Sequence, residues 1–290
     1  MSGAPPAARG PYPSPRALLD KYDLRAKKSW GQNFLGDEAI LDDIARLAVE
    51  ESGEPVVELG GGLGHLTARL VARGARVAAV ERDRDMARVL RGELGEQIAL
   101  LEADAARMDY AALARAWPQP GAEGGARVAV VGNLPYHLTS PILFSLLDQV
   151  AAVSRGVFLL QREVAERLAA PPGSRDWGIL SVLLQREADV ALTRIVSPRA
   201  FVPPPRVESA VLRVAFRPPA DPIRDPARFR RLVKAGFAQR RKTLRNALEA
   251  ARIVEPERLA AALAAAGVDP GRRGETLTLA EWAAIDRALG

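Results

Sequence analysis

Four consecutive residues, Asn133, Leu134, Pro135 and Tyr136, directly follow the apolar run 128–131. A buried strand that ends in a carboxamide, a rigid kink and an aromatic ring can hold a flat polar ring by its edge and its face. Upstream, the apolar run 55–59 leads into Gly60-Gly61-Gly62-Leu63-Gly64, after which 65–73 reads as a helix. Strand, glycine turn and helix is a nucleotide-binding order: the glycines let backbone approach a ligand, and the helix start offers unpaired N–H groups. The next strand, 76–80, ends at Glu81, 17 residues past Gly64, where a carboxylate can accept from both hydroxyls of a ribose. Glu58, Glu81 and Asp104 thus stand at the ends of successive strands, although an ordinary helix cap accounts for any one of them equally well.

The glycine spacing discriminates between cofactors. A dinucleotide fingerprint requires G-x-G-x-x-G, but the sixth position counted from Gly60 is His65; the pattern present is G-x-G-x-G, which favours S-adenosylmethionine over a nicotinamide dinucleotide. Adenine suits the tetrapeptide. Its amino nitrogen is a poor nucleophile because the lone pair is delocalised into the ring. Donating its hydrogens to the Asn133 side-chain oxygen and to a backbone carbonyl, that of Leu134, favours a tetrahedral nitrogen. Pro135 fixes the backbone for that carbonyl, and Tyr136 can stack on the base. Positioning and charge placement then carry the rate. A buried turn with a capping Asn and a core Tyr is the other account of these residues.

Composition removes rival chemistries. The 290 residues contain no cysteine and two histidines, so thiolate chemistry, disulfides and most zinc sites are excluded and no metal is expected. No apolar run approaches the length of a membrane span, and no secretory signal opens the chain, so a cytoplasmic location is expected. The net charge of +6 is uneven: residues 218–290 hold 14 Lys and Arg against 9 Asp and Glu, leaving 27 against 26 for 1–217. Arg240, Arg241, Lys242 and Arg245 put four cations into six residues, which points to phosphate contact, where a solvated helix face is the bland alternative.

The elements that must position these residues follow from periodicity. Residues 1–15, rich in Pro, Ala and Gly, are expected to be a disordered tail. Helices are expected over 15–22, 37–51, 83–94, 138–148 and 162–170, and strands over 97–101, 127–131 and 156–161. The runs 190–196 and 210–216 should complete the sheet as an antiparallel pair. Three prolines make 201–205 a stiff extended wall in which Phe201 can close on a flipped base, a plain hydrophobic plug being an equally good account of it. Beyond 218 the pattern is helical, at 226–238, 243–251, 256–265 and 278–289.

Several segments resemble one family, the small-subunit ribosomal RNA adenine N6-dimethyltransferases. They are Lys28-Ser29-Trp30-Gly31-Gln32-Asn33-Phe34-Leu35, the stretches 58–67 and 133–141, Gln161-Arg162-Glu163-Val164-Ala165, the stretch 201–211, and Phe237 through Asn246. They occur in order from residue 28 into the C-terminal helices. Gly61 stands where that family commonly has proline, Trp30 where it has leucine and His137 where it has asparagine. The resemblance implies an α/β fold: a Rossmann-like seven-stranded S-adenosylmethionine-dependent methyltransferase domain over 28–217, a small all-helical RNA-binding domain over 218–290, and a flexible tail with a short helix over 1–27. It implies dimethylation of two adjacent adenosines in the 3′-terminal hairpin loop of 16S rRNA, within an assembling 30S subunit, by a monomeric enzyme. Gln32, Asn33, Leu35, Gly60, Gly62, Glu81, Asp104, Ala105 and Asn133 are then expected at the cofactor. Asn133, Leu134, Pro135 and Tyr136 are expected to act on the base, and Phe201, Arg240, Arg241 and Lys242 to bind substrate. Two other readings share these motifs: an RNA-binding assembly factor whose methylation is secondary, and a large-subunit rRNA adenine methyltransferase.

Overall fold

The computed structural model describes residues 11–27, 30–117, 127–135, 138–239 and 241–290. The tail 1–10, Lys28, Ser29, the loop 118–126, Tyr136, His137 and Arg240 lie outside the described residues. The strands are β1 (Phe34–Leu35), β2 (Pro55–Leu59), β3 (Arg76–Val80), β4 (Ile98–Leu101), β5 (Val128–Asn133), β6 (Val153–Gln161), β7 (Ala188–Val196), β8 (Phe201–Val202) and β9 (Ser209–Phe216). The helices before the basic region are α1 (Pro15–Lys21), α2 (Glu38–Ala48), α3 (His65–Ala72), α4 (Arg84–Glu93), α5 (Tyr110–Ala116), α6 (Thr139–Asp148), α7 (Arg162–Ala169) and α8 (Ile179–Glu187). Four more follow: α9 (Pro226–Ala238), α10 (Leu244–Ala250), α11 (Pro256–Ala265) and α12 (Leu279–Ala288).

Seven strands form one sheet in the order β4-β3-β2-β5-β6-β9-β7. The first five run parallel, and β9 and β7 pair antiparallel at one edge, as their sequence pattern predicts. Central strands are covered on both faces, which is why β2 is buried at every residue and, Glu58 apart, reads as an apolar run instead of an alternating one. Leu59, Val130 and Phe158 belong to the core on one face. On the other, Val131 and Leu159 pack with Ile40, Leu41 and Ile44 of α2.

Two consequences of this topology matter for the site. The chain goes from β2 outward to β3 and β4, then returns to place β5 on the opposite side of β2, so a crevice opens between the carboxyl ends of β2 and β5. The register sets Glu58 against Val131 and Asn133 against Leu159. The second is a two-stranded antiparallel sheet in which Phe34 pairs with Val202 and Leu35 with Phe201. It fastens the segment after Trp30 to the start of the proline wall.

Residues 11–14, expected to belong to a disordered tail, instead lie against the glycine loop. Tyr12 reaches the Leu63 carbonyl at 2.8 Å and His65 bonds to the Pro13 carbonyl at 2.9 Å. One aromatic hydroxyl and one carbonyl, matched to polar groups of the loop, anchor a segment whose composition alone gives no reason for order. At the other end, α9–α12 surround a core of their own containing Phe229, Leu248 and Trp282. That core also takes in Trp177, Val182 and Leu183, which precede the division at 217/218 suggested by composition. Gly173 N–H further donates to the Glu275 carbonyl at 3.0 Å. Among the described residues no helix is long and apolar enough to cross a membrane.

Candidate active site

A cavity occupies the crevice, and with the open solvent at its mouth it comes to about 720 Å³. Its floor is the turn after β2. Gly60 and Gly62 have φ of +78° and +54°, left-handed backbone that favours glycine. The open side of Gly62 faces the Phe34 ring, 3.5 Å from where a Cβ would stand. Glu81, at the end of β3, accepts from Gly62 N–H at 2.9 Å and from Asp83 N–H at 2.7 Å. Burial pushes its carboxyl above the ordinary value, against the N–H groups of Asp83, Gly62 and Arg82 that favour the charged form.

Asn133 ends β5 at one wall of the cavity. Its Nδ2 donates to the Asn33 carbonyl at 3.0 Å, which turns Oδ1 into the free acceptor end of the amide. Leu134 N–H donates to the Leu159 carbonyl at 3.1 Å while its side chain is buried, so only its carbonyl is available to a ligand. The Pro135 carbonyl accepts from Leu138 N–H at 2.9 Å. Phe201, 4% exposed, lines the same cavity. Asn33 reaches it because β1 pairs with β8.

Gln32 also lines the cavity, but its side-chain amide is committed elsewhere. Oε1 accepts from Lys27 N–H at 2.9 Å and Nε2 donates to Asp83 at 2.8 Å. Lys27 Nζ bridges Asp83 and Asp85 at 2.8 and 2.7 Å. Burial works against the Asp83 charge, yet the Lys27 ammonium and the surrounding donors prevail and hold its carboxyl below the usual range. Leu35 is buried and lines an adjoining recess under the glycine loop, together with Glu58. There burial pushes the Glu58 carboxyl up to about 8, Thr67 offsetting part of that and the Glu81 charge adding to it. Its Oε2 and the Thr67 hydroxyl are both buried without a hydrogen-bond partner of good geometry.

Asp104 and Ala105 are not among the residues lining this cavity. Asp104 caps a short turn over Ala105–Arg107, accepting from Ala106 N–H at 3.0 Å. Tyr136 and Arg240 fall outside the described residues. Arg241 and Lys242 are exposed on the turn between α9 and α10, whereas Arg245 is paired with Glu249 at 2.7 Å. Four lining residues are not among those expected at the site from sequence: Gly31, Phe34, Met86 and Trp30. Trp30, 41% exposed at the rim, lies 5.4 Å from Lys27 Nζ and 5.5 Å from the Arg82 guanidinium. Its one signal was a large aromatic in a polar stretch. Among the described residues no group of three or more His, Asp or Glu is placed to hold a metal ion.

This arrangement can hold a nucleoside-bearing ligand over the glycines and present an amide oxygen and a carbonyl to a planar amine beside it. The sequence model of a family described as ribosomal RNA adenine dimethylase matches residues 23–288. The chain is similar to the ribosomal RNA small subunit methyltransferase A of Anaeromyxobacter dehalogenans (strain 2CP-C), 80% identical over 280 residues, covering 96% of this chain and 99% of that protein. It is 56% identical to the protein of that name from Myxococcus xanthus, covering 96% and 95%. Among crystal structures, a dimethyladenosine transferase from Plasmodium falciparum shares the fold with a TM-score of 0.71 at 20% identity, covering 87% of this chain and 95% of that one. The 23S rRNA methyltransferase ErmE gives 0.64 at 27% identity, covering 89% and 99%.

Proposed function

We propose, for a chain that belongs to the ribosomal RNA adenine dimethylase family, that the crevice between β2 and β5 transfers methyl groups from S-adenosylmethionine to the N6 amino groups of two adjacent adenosines in the 3′-terminal hairpin loop of 16S rRNA. Membership of that family makes the chain an enzyme, an adenine dimethyltransferase of ribosomal RNA. The adenine-directed chemistry rests chiefly on the orientation of Asn133, and the choice of the small subunit on the relatives named for it; action in the cytoplasm by a single chain on an assembling 30S subunit belongs to the same proposal.

The residues fit the cofactor. The left-handed turns at Gly60 and Gly62 leave a cradle that side chains would fill, and Glu81 sets a carboxylate beside it. When bound, S-adenosylmethionine supplies an electrophilic methyl group on a sulfonium. Because Asn133 Nδ2 is spent on the Asn33 carbonyl, its Oδ1 accepts one N6 hydrogen of the adenine, and the Leu134 carbonyl accepts the other. Those two acceptors draw the nitrogen towards tetrahedral geometry and aim its lone pair into the cavity. Phe201 bounds the pocket against water. Transfer would break the bond between the methyl group and the sulfonium, leaving the neutral thioether of S-adenosylhomocysteine, and the methylated nitrogen would afterwards release a proton to solvent, so no side chain of unusual basicity is needed at transfer. An adenine amino group is buried in a stacked helix, so each target base has to be splayed out of its loop before it can enter.

The test is radiolabelled S-adenosylmethionine offered to small ribosomal subunits that lack the modification and, in a parallel reaction, to large subunits. Two neighbouring adenosines near the 3′ end should be labelled by the wild-type protein. Asn133→Ala should give no label while binding S-adenosylhomocysteine within a few-fold of wild type. Label confined to large-subunit RNA would move the substrate to that of the ErmE-like enzymes, and wild-type turnover by Asn133→Ala would remove the amide from the mechanism.

A further inference from the structure

The glycine loop is gripped from behind by residues that precede every motif of the site. Tyr12 donates its hydroxyl to the Leu63 carbonyl at 2.8 Å, inside the turn and between two of its left-handed glycines. A Cβ on Gly64 would stand 2.4 Å from that hydroxyl oxygen, so the tyrosine is seated directly on the last glycine. The Tyr12 ring meets His65 edge-on, with centroids 5.2 Å apart and planes at 78°. A carbonyl only accepts, so His65 Nε2 carries the proton it gives to Pro13 at 2.9 Å.

The gripping segment is itself anchored. Leu18 is buried with Phe34, Leu63 and Met86, and Tyr22 and Lys21 both reach Glu93 on α4, at 2.7 and 2.6 Å. The loop needs such support. Gly60, Gly62 and Gly64 all have positive φ, and glycine gives up more conformational freedom on ordering than any other residue. Helix α3 starts from Gly64, which has no side chain with which to cap it.

We infer that residues 12–14 form a clamp that pre-sets the cofactor loop, with Tyr12 as a positioning residue for cofactor binding that never touches the cofactor. The Tyr12 hydroxyl fixes the Leu63 carbonyl, His65 ties the first turn of α3 to Pro13, and the loop is thereby held in its receiving shape before the ligand arrives. A loop ordered in advance spares the ligand the ordering cost, so the clamp acts on affinity and leaves chemistry alone. The inference rests on the proposed S-adenosylmethionine site and adds to it a part that none of the site motifs contains.

Tyr12→Phe in the full chain keeps the ring and removes only the hydroxyl. Its dissociation constant for S-adenosylhomocysteine, by calorimetry, should rise about five- to tenfold, the scale of one partly buried hydrogen bond. KM for S-adenosylmethionine should rise in parallel, with kcat at saturation and KM for RNA within about twofold of wild type. Amide exchange should quicken over residues 60–66 and stay unchanged elsewhere. His65→Leu should reproduce the loss of affinity, and His65→Gln, whose amide can still donate to Pro13, should restore it. Unaltered affinity and exchange in Tyr12→Phe would overturn the clamp, as would equal rises in both KM values with a general fall in melting temperature. Wild-type protein that took up no S-adenosylhomocysteine would overturn the cofactor assignment itself, and the clamp with it.

Discussion

Glu58 carries a carboxyl that the fold keeps neutral. Burial lifts it to about 8, with a lowering contribution from Thr67 and a raising one from Glu81. From its ordinary value near 4.5 up to about 8, the folded chain therefore holds a proton that the unfolded chain has released, and stability falls as pH rises through that window. Glu58→Gln keeps the shape without the proton. Cofactor-free wild type should lose several degrees of melting temperature relative to this variant between about pH 5 and pH 8; superimposable profiles would mean that the carboxyl is charged in the fold. At this scale the sequence was legible where residue type and spacing bring groups to one sheet edge: Gly60, Gly62, Glu81 and Asn133 all line one cavity. It was silent where function depends on which atom faces which. Nothing in the order Lys27 to Asn33 tells that the Gln32 amide is absorbed by Lys27 and Asp83, or that Asn133 spends its nitrogen on Asn33, 100 residues away.

Among the elements, β2 and β5 decide the geometry, because their neighbouring carboxyl ends carry the two halves of the site. Gly132 allows their close approach: a Cβ there would stand 2.4 Å from the Leu59 carbonyl oxygen and 3.2 Å from a Leu134 methyl group. Neither atom is the loose end of a flexible chain pointing to solvent. Gly132→Ala should part the strands, at a cost of about 2–3 kcal/mol in stability. Turnover should fall more than about tenfold, since Asn133 would move relative to the glycine loop. Wild-type melting and turnover in this variant would show that the strands absorb a methyl group. Periodic elements were readable almost to the residue, such as α9 and α11, whose expected spans 226–238 and 256–265 coincide with Pro226–Ala238 and Pro256–Ala265. Helix α8 was not, because it is buried on two sides: Val182 and Leu183 face the helical core and Leu184 faces the sheet core, which blurs the one-sided stripe. The pair β1–β8 was also hidden, since two residues on each strand are too few to form a pattern.

Over the whole molecule, charge and packing divide the chain differently. The excess of cations after 218 is visible in the sequence, and of the cluster there Arg241 and Lys242 stand exposed, with no carboxylate paired to them among the described residues, while Arg245 is tied to Glu249. Replacing Arg241 and Lys242 with alanine should weaken RNA binding and lower the magnitude of the slope of log affinity against log salt by about 1.4–1.8, roughly 0.7–0.9 for each phosphate no longer neutralised. A slope equal to wild type would place both side chains in plain solvent. Packing, by contrast, joins the halves through Trp177, Val182 and Leu183. A chain is made from its amino end, and segments ordinarily fold in the order they appear. Leu183 must wait for Leu289, 106 residues later, before the core they share is complete. The half that carries the crevice is thus synthesised before part of the surface against which it packs.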